Sequence, residues 1–224
     1  MKISELILEQ NHQFIVANKP AGVPVQPDQT GDKSLLNLLE IYSKSTLFVV
    51  HRLDRPVSGV VVFARNKKAA AQLSKQFQDK KISKKYLAAV ANLPEQASGI
   101  LTHHLKKKGS HVHIVAEPTE ETSTSELAYS HLHSTDRYHL LEIELKTGRF
   151  HQIRAQLAAI GSPIKGDEKY GFKRANADRS IHLHAWKLGF HHPITKEFFT
   201  FEAPLPDEVL WNVFNENLKG NKQD

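Results

Sequence analysis

Between residues 84 and 146 the chain carries five successive segments of strand character with no helical period between them: 84–93, 100–105, 111–116, 123–133 and 138–146. A parallel pair needs a crossover of about a dozen residues or more, usually a helix. Strands that follow one another without such crossovers pair antiparallel, which is the main constraint on this fold. QFIVANK (13–19) adds a strand that stops at Pro20, and the β-branched runs 47–51 and 58–65 add two more. Segments 182–192 and 197–204 flank Pro193-Ile194-Thr195 as a hairpin. Helices are fewer. Leu35, Leu38, Leu39 and Tyr42 recur at helical spacing after Ser34, a good N-cap. Asn66 precedes a second helix over about 67–79, with Ala70, Leu73 and Phe77 on one face. A third runs over 150–161, with Ile153, Leu157 and Ile160 inward and Gly161 ending it, and an amphipathic helix spans 207–218. The expected class is α+β: a mixed, mostly antiparallel central sheet flanked by helices and loops, in a single domain over 1–224.

Composition removes several chemistries. With no cysteine, the chain has no disulfide, thiolate metal site, iron–sulfur cluster or cysteine nucleophile, which suits a reducing cytoplasm. No 18-residue apolar run and no apolar leader are present, so no membrane association is expected. The P-loop and GxGxxG phosphate-binding patterns are both missing. Fourteen histidines include HVH (111–113) and HLH (182–184), each placing two imidazoles on one strand face, but no HExxH pattern accompanies them and no metal site is expected.

The charge is concentrated. From Arg65 to Lys85 there are eight basic residues (Arg65, Lys67, Lys68, Lys75, Lys80, Lys81, Lys84, Lys85) against Asp79 alone, a net +7 in a chain whose total is +6. Such a run is either a solvated helix face and turn or an electrostatic footprint for nucleic acid.

Three segments carry candidate chemistry. In HRLDRPVSG (51–59), Asp54 sits between Arg52 and Arg55 in a loop that Pro56 keeps out of regular strand pairing. Guanidinium groups favour the ionised carboxylate, as a nucleophile or base requires, although an Asp capping a turn fits the same composition. In TGRFHQIRAQLAAIGSPIKGDEKYG (147–171), Arg149, His151 and Arg154 cluster around a helix start, where anions bind readily. In KKYLAAV (84–90), Tyr86 opens a strand beside Lys84 and Lys85, either as packing or as a surface for a stacked base.

Taken together, HRLDRPVSGVVVFARN (51–66), KKYLAAV (84–90), TGRFHQIRAQLAAIGSPIKGDEKYG (147–171) and IHLHAWKLGFHHPITKE (181–197) resemble the RluA-type pseudouridine synthase family over about residues 11–206. The resemblance implies isomerisation of uridine to pseudouridine in RNA, with no cofactor and no metal. It implies Asp54 as the catalytic aspartate and Tyr86 as the active-site tyrosine against the target base. Arg154 would pair with Asp54, Ile153 would form part of an apolar wall, and Arg52 would help fill the place of the flipped base. Arg149, His151, Lys80, Lys81, Lys84 and Lys85 are the further expected RNA contacts. Val57, Phe150 and Gln156 stand where the family commonly has threonine, threonine and histidine.

The match begins close to residue 11, so no S4 RNA-binding domain is expected ahead of it. The expected partner is a tRNA or rRNA stem-loop, and a monomer is the default. Two competing readings remain at the level of sequence. One is a non-catalytic RNA-binding or RNA-chaperone protein that keeps the fold. The other is a histidine-dependent ribonuclease, favoured only by the number of histidines.

Overall fold

The computed structural model describes residues 2–220. In chain order the elements are β1 (Ile7–Gln10), β2 (Phe14–Lys19), α1 (Leu35–Ser43), β3 (Phe48–Val49), β4 (Ser58–Ala64), α2 (Lys67–Gln78), β5 (Ser83–Val90), β6 (Ser98–Lys108), β7 (His111–Val115), β8 (Thr122–Ser134), β9 (His139–Leu145), α3 (Gln152–Ala159), β10 (Leu183–His191), β11 (Phe198–Glu202) and α4 (Val209–Gly220). Short 3₁₀ turns occupy Ile3–Leu6 and Glu168–Tyr170. The described residues group into two compact units. One is the chain up to Lys84 with Ala185–Pro206, and the other is Lys85–His184 with the chain from Asp207.

In the first unit the strands run β1-β2-β4-β10, with β3 on β4 and β11 on β10. β2 pairs antiparallel with β4 from Phe14↔Ala64 to Lys19↔Gly59. All seven residues of β4 are buried, as its unbroken apolar sequence requires. Its start is very close to β10: a Cβ on Gly59 would lie 2.2 Å from the Ala185 carbonyl oxygen, so only glycine fits between Ser58 and Val60. Ile15, Ala17, Val61 and Phe63 form the core with Leu35 and Leu39 of α1. The Ser34 side chain accepts from the Asn37 backbone, and the Asn37 side chain accepts from the Ser34 backbone, so α1 begins in a capping box. Asn66 caps α2 by accepting from the Ala69 N–H at 2.8 Å.

In the second unit the order is β5-β9-β8-β6-β7, antiparallel at each of the four junctions. β6 extends beyond the expected 100–105 at both ends, pairing with β8 from Ser98↔Ser130 to Lys106↔Thr122, whereas β8 keeps within one residue of the expected 123–133 at each end. The residues added to β6 are serine, glycine and lysine, so the hydrophobic pattern underestimates its length, and the backbone ladder carries the pairing. The segment expected over 84–93 stops at Val90, three residues before its apolar character ends.

α3 packs on the β6–β7 hairpin through Leu105, Val112 and Ala155. It starts later than the expected residue 150, because His151 adopts a left-handed φ of 50° immediately before it. Gly161, with φ 75°, ends it as expected. An apolar stripe was expected on this helix. Instead Gln152 through Leu157 are all buried, whereas Ile160, expected inward, is half-exposed. Gln152, Arg154 and the Gln156 amide nitrogen are accommodated by specific hydrogen bonds.

Candidate active site

The loop from Val50 to Val57 follows the local chemistry of its residues. Pro56 interrupts the ladder, and the Val57 N–H donates to the Asp54 carbonyl at 3.1 Å, closing a turn that holds Asp54 half-buried. His51 anchors the entry to the loop. Its Nε2 accepts from the Val62 N–H at 3.0 Å, and its ring stacks on Phe77 at 4.6 Å. Burial, aided by Lys84, lowers its pKa to about 3, so this imidazole is neutral and packs like an aromatic side chain.

Lys19 anchors the loop from below. It is fully buried, and its ammonium donates to the carbonyls of Pro20, Val23 and Arg55 at 2.9, 2.8 and 3.2 Å. The three donors of one side chain thereby join the 20–23 segment to the Asp54 loop. Burial lowers the Lys19 pKa to about 7. The Asp54 carboxylate opposes this shift, and the Arg55 guanidinium adds to it. Sequence reasoning passed over this residue. Its signal was a lysine ending an otherwise apolar strand directly before proline.

The two arginines beside Asp54 differ in placement. Arg52 is exposed. Arg55 turns toward the 28–32 segment, where Thr30 accepts at 2.8 Å and Asp32 forms a close ion pair, with Asp28 at 3.6 Å. Adjacency in sequence had suggested both guanidinium groups as neighbours of the Asp54 carboxylate. The acids of the 28–32 segment engage that of Arg55.

In the second unit, Tyr86 is half-buried on β5, opposite Ile143 on β9. Arg154 is 5% exposed and Asp167 1%. Arg154 donates through Nε to Oδ2 at 2.6 Å and through Nη2 to Oδ1 at 2.7 Å, a two-pronged bond that fixes the guanidinium plane. The Tyr170 ring lies 5.0 Å from the same guanidinium. Asp167 was not singled out from the sequence, where the glycines and lysines of GSPIKGDEKYG drew attention. An acid thirteen residues after a buried arginine was the signal.

The approach to α3 is braced by Gln152, which accepts from the Thr147 hydroxyl at 2.8 Å and the Arg149 N–H at 3.0 Å and donates to the Glu126 carbonyl. Gln156 donates to the carbonyls of Leu101 and Ser125 at 3.0 and 3.2 Å. The side-chain amides of Gln152 and Gln156 thereby tie α3 to β6 and β8.

The expected RNA-contact residues fall into distinct environments. Lys80 and Lys81 are exposed after α2, with Lys80 in the left-handed region. Lys84 is half-buried, and burial together with Lys80 lowers its pKa to about 8. Lys85 forms an ion pair with Glu142 at 2.7 Å. Arg149 is exposed and Ile153 is buried. His151 is buried, with Nδ1 2.8 Å from the Tyr170 hydroxyl. Burial, then the positive charges of Arg154, Lys169 and their neighbours, lower its pKa to about 3. His151 is thus a neutral hydrogen-bonding ring at neutral pH.

Comparison with known proteins agrees with these motifs. Residues 13–159 match the model of the RNA pseudouridylate synthase family. A protein of Bacillus subtilis named as an uncharacterized RNA pseudouridine synthase is 34% identical over 92% of this chain and 70% of its own length. A protein of Vibrio parahaemolyticus named tRNA pseudouridine synthase C is 32% identical over 90% of both chains. The solved structure of human RNA pseudouridylate synthase domain containing 4 shares the fold, with a TM-score of 0.77 at 24% identity over 95% of this chain and 93% of that one. On the family match and the curated relatives together, this chain belongs to the RNA pseudouridylate synthase family.

Proposed function

We propose that the protein isomerises uridine in a tRNA or rRNA stem-loop to pseudouridine, with Asp54 as the catalytic carboxylate, Tyr86 against the target base and Arg154 as the counter-charge that keeps Asp54 ionised. The observation that carries this reading is the family match over 13–159, a span that includes all three residues. Relatives named for tRNA and for the large ribosomal subunit both match, so both RNAs belong in the test.

The reaction conserves every atom. The N1–C1′ bond breaks, the uracil turns, C5 bonds to C1′, and the C5 proton is lost while N1 gains one. A base inside folded RNA must first be flipped out, at a cost of a few kcal/mol. Contacts from lysine and arginine to phosphate offset that cost, a role for Lys80, Lys81, Lys84 and Arg149. Arg52, exposed on the Asp54 loop, would occupy the gap that the base leaves. Ionised Asp54 serves equally to attack the sugar, attack the base or remove a ribose proton. A base positioned for the C5 proton contributes about 10²–10⁴-fold. Lys19 and the Asp54–Val57 turn support the reading from below, because a nucleophile or base has to be held within a fraction of an ångström of its target. Asp167 does the same for the Arg154 guanidinium.

The test incubates tRNA and rRNA lacking pseudouridine with the protein and with Asp54→Asn. Wild type is expected to form pseudouridine, while Asp54→Asn forms none and binds RNA within a few-fold of wild type. Undiminished product from Asp54→Asn would remove the catalytic assignment. RNA binding by the wild type without product, or with strand cleavage, would indicate one of the two competing readings.

A further inference from the structure

A connected series of rings lines part of the second unit. The His113 and His111 rings are 6.4 Å apart, His111 and Tyr170 6.3 Å, Tyr170 and His151 5.5 Å, and His151 and Phe150 3.8 Å with only 21° between planes. The fold explains the arrangement. On β7, Val112 is buried against Leu105 and Ala155, so His111 and His113 on either side of it face outward. The Tyr170 hydroxyl accepts from the Val112 N–H at 2.9 Å and lies 2.8 Å from His151 Nδ1, which joins the hairpin to the start of α3.

At the end of this series Phe150 is 43% exposed, immediately before the left-handed His151. Neutral His151 covers one face of the Phe150 ring. The Lys107 ammonium lies over the ring, 5.0 Å from its centre. Arg149 and Lys107 are both exposed. An apolar ring held open to solvent by a rigid support, with long cationic side chains around it, has no explanation in core packing.

We propose that Phe150, backed by His151, is a stacking platform for an unpaired nucleotide of the substrate RNA, with Lys107 and Arg149 as contacts to its phosphates. This rests on the RNA-modifying reading above and adds a determinant to it: selection of single-stranded over duplex nucleotides beside the target uridine. Every base has a π-face to offer once it is unstacked, whereas a base within a duplex has none free. The Lys107 stem is flexible, so its ammonium moves to a phosphate as the base takes its place over the ring. The series of rings leads from there through Tyr170 to Arg154.

The test measures binding of a labelled single-stranded oligouridylate and of a duplex RNA of equal length by wild type, Phe150→Ala, Phe150→Leu, Phe150→Tyr and Lys107→Ala. Leucine keeps apolar bulk on His151 but lacks the π-face. The alanine and leucine variants are expected to bind the single strand about fivefold or more weakly, with duplex binding unchanged and Phe150→Tyr close to wild type. Lys107→Ala is expected to lower the salt dependence of single-strand binding by about one unit of slope. Wild-type single-strand binding by Phe150→Leu, or equal losses for single strand and duplex, would overturn the platform. Pseudouridine formation by the wild type is followed in parallel. Product formation together with wild-type binding by the alanine variant removes the platform alone, and no binding and no product from the wild type removes both proposals.

Discussion

Replacing Asp167 with asparagine isolates a deeply buried charge pair of the second unit. Arg154 and Asp167 are 5% and 1% exposed, and their two bonds of 2.6 and 2.7 Å are both charge-assisted. Removing one charge from such a pair costs about 3–5 kcal/mol, because the remaining ion has lost its solvent and its partner. Asparagine keeps one acceptor oxygen, so the lower end, about 3 kcal/mol, is expected. For a chain of this size that corresponds to a fall in Tm of about 6–12 °C. Thermal unfolding followed by circular dichroism, with urea unfolding at 25 °C as a second measure, reads the loss directly. Pseudouridine formation at a temperature where the variant is fully folded is also expected to fall, since Arg154 is freer to rotate. The double variant Arg154→Met, Asp167→Leu is expected to be more stable than Asp167→Asn but inactive, because an apolar pair restores packing without restoring the charge. A Tm for Asp167→Asn within 2 °C of wild type would refute the reasoning. So would wild-type activity in the double variant.

Two further predictions concern the first unit. The Lys19 pKa is about 7 when folded and ordinarily 10.5, so the unfolded chain binds more protons between those values, and this group makes stability rise with pH across that window. Lys19→Met is expected to lose that part of the rise and to lower activity by loosening the Asp54 loop; urea unfolding from pH 7 to 10 checks the slope, and a slope equal to wild type contradicts the burial argument. Charge reversal at Lys80, Lys81 and Lys84 is expected to weaken RNA binding and reduce its salt dependence by about 2–3 units of slope, with wild-type binding falling as pH rises past about 8 because Lys84 loses its charge there; an unchanged salt slope would make this segment a solvated face.

Sequence patterning was enough for the elements whose stability is local. Ser34 and Asn66 cap their helices as read, because a cap needs only a side-chain oxygen and a backbone N–H a few residues away. The loop around Asp54 was legible because Pro56 excludes a ladder regardless of tertiary context. The antiparallel pairing of the 84–146 region followed from strands without crossovers, and the family followed from the joint occurrence of the HRLD and HQIR segments. Strand ends were less legible. β6 continues at both ends through residues that satisfy the ladder without showing an apolar period. β1, four residues long, was missed altogether, because so short a segment has too little pattern to detect.

Tertiary structure alone decided which polar groups meet. Arg55 adjoins Asp54 in the chain, yet its guanidinium is engaged by Thr30 and Asp32, more than twenty residues away. Arg154 takes its orientation from Asp167, thirteen residues on, and Lys19 reaches a carbonyl at residue 55. A charged side chain has several possible partners at every stage of folding. The one it keeps is set by where burial removes water and leaves a single geometry that satisfies it. Residue types and their order therefore determined the fold class and the family of this protein. The supports of its candidate catalytic residues, and the stacking of exposed Phe150 on His151 under Lys107, emerged only when distant segments were brought together and desolvated.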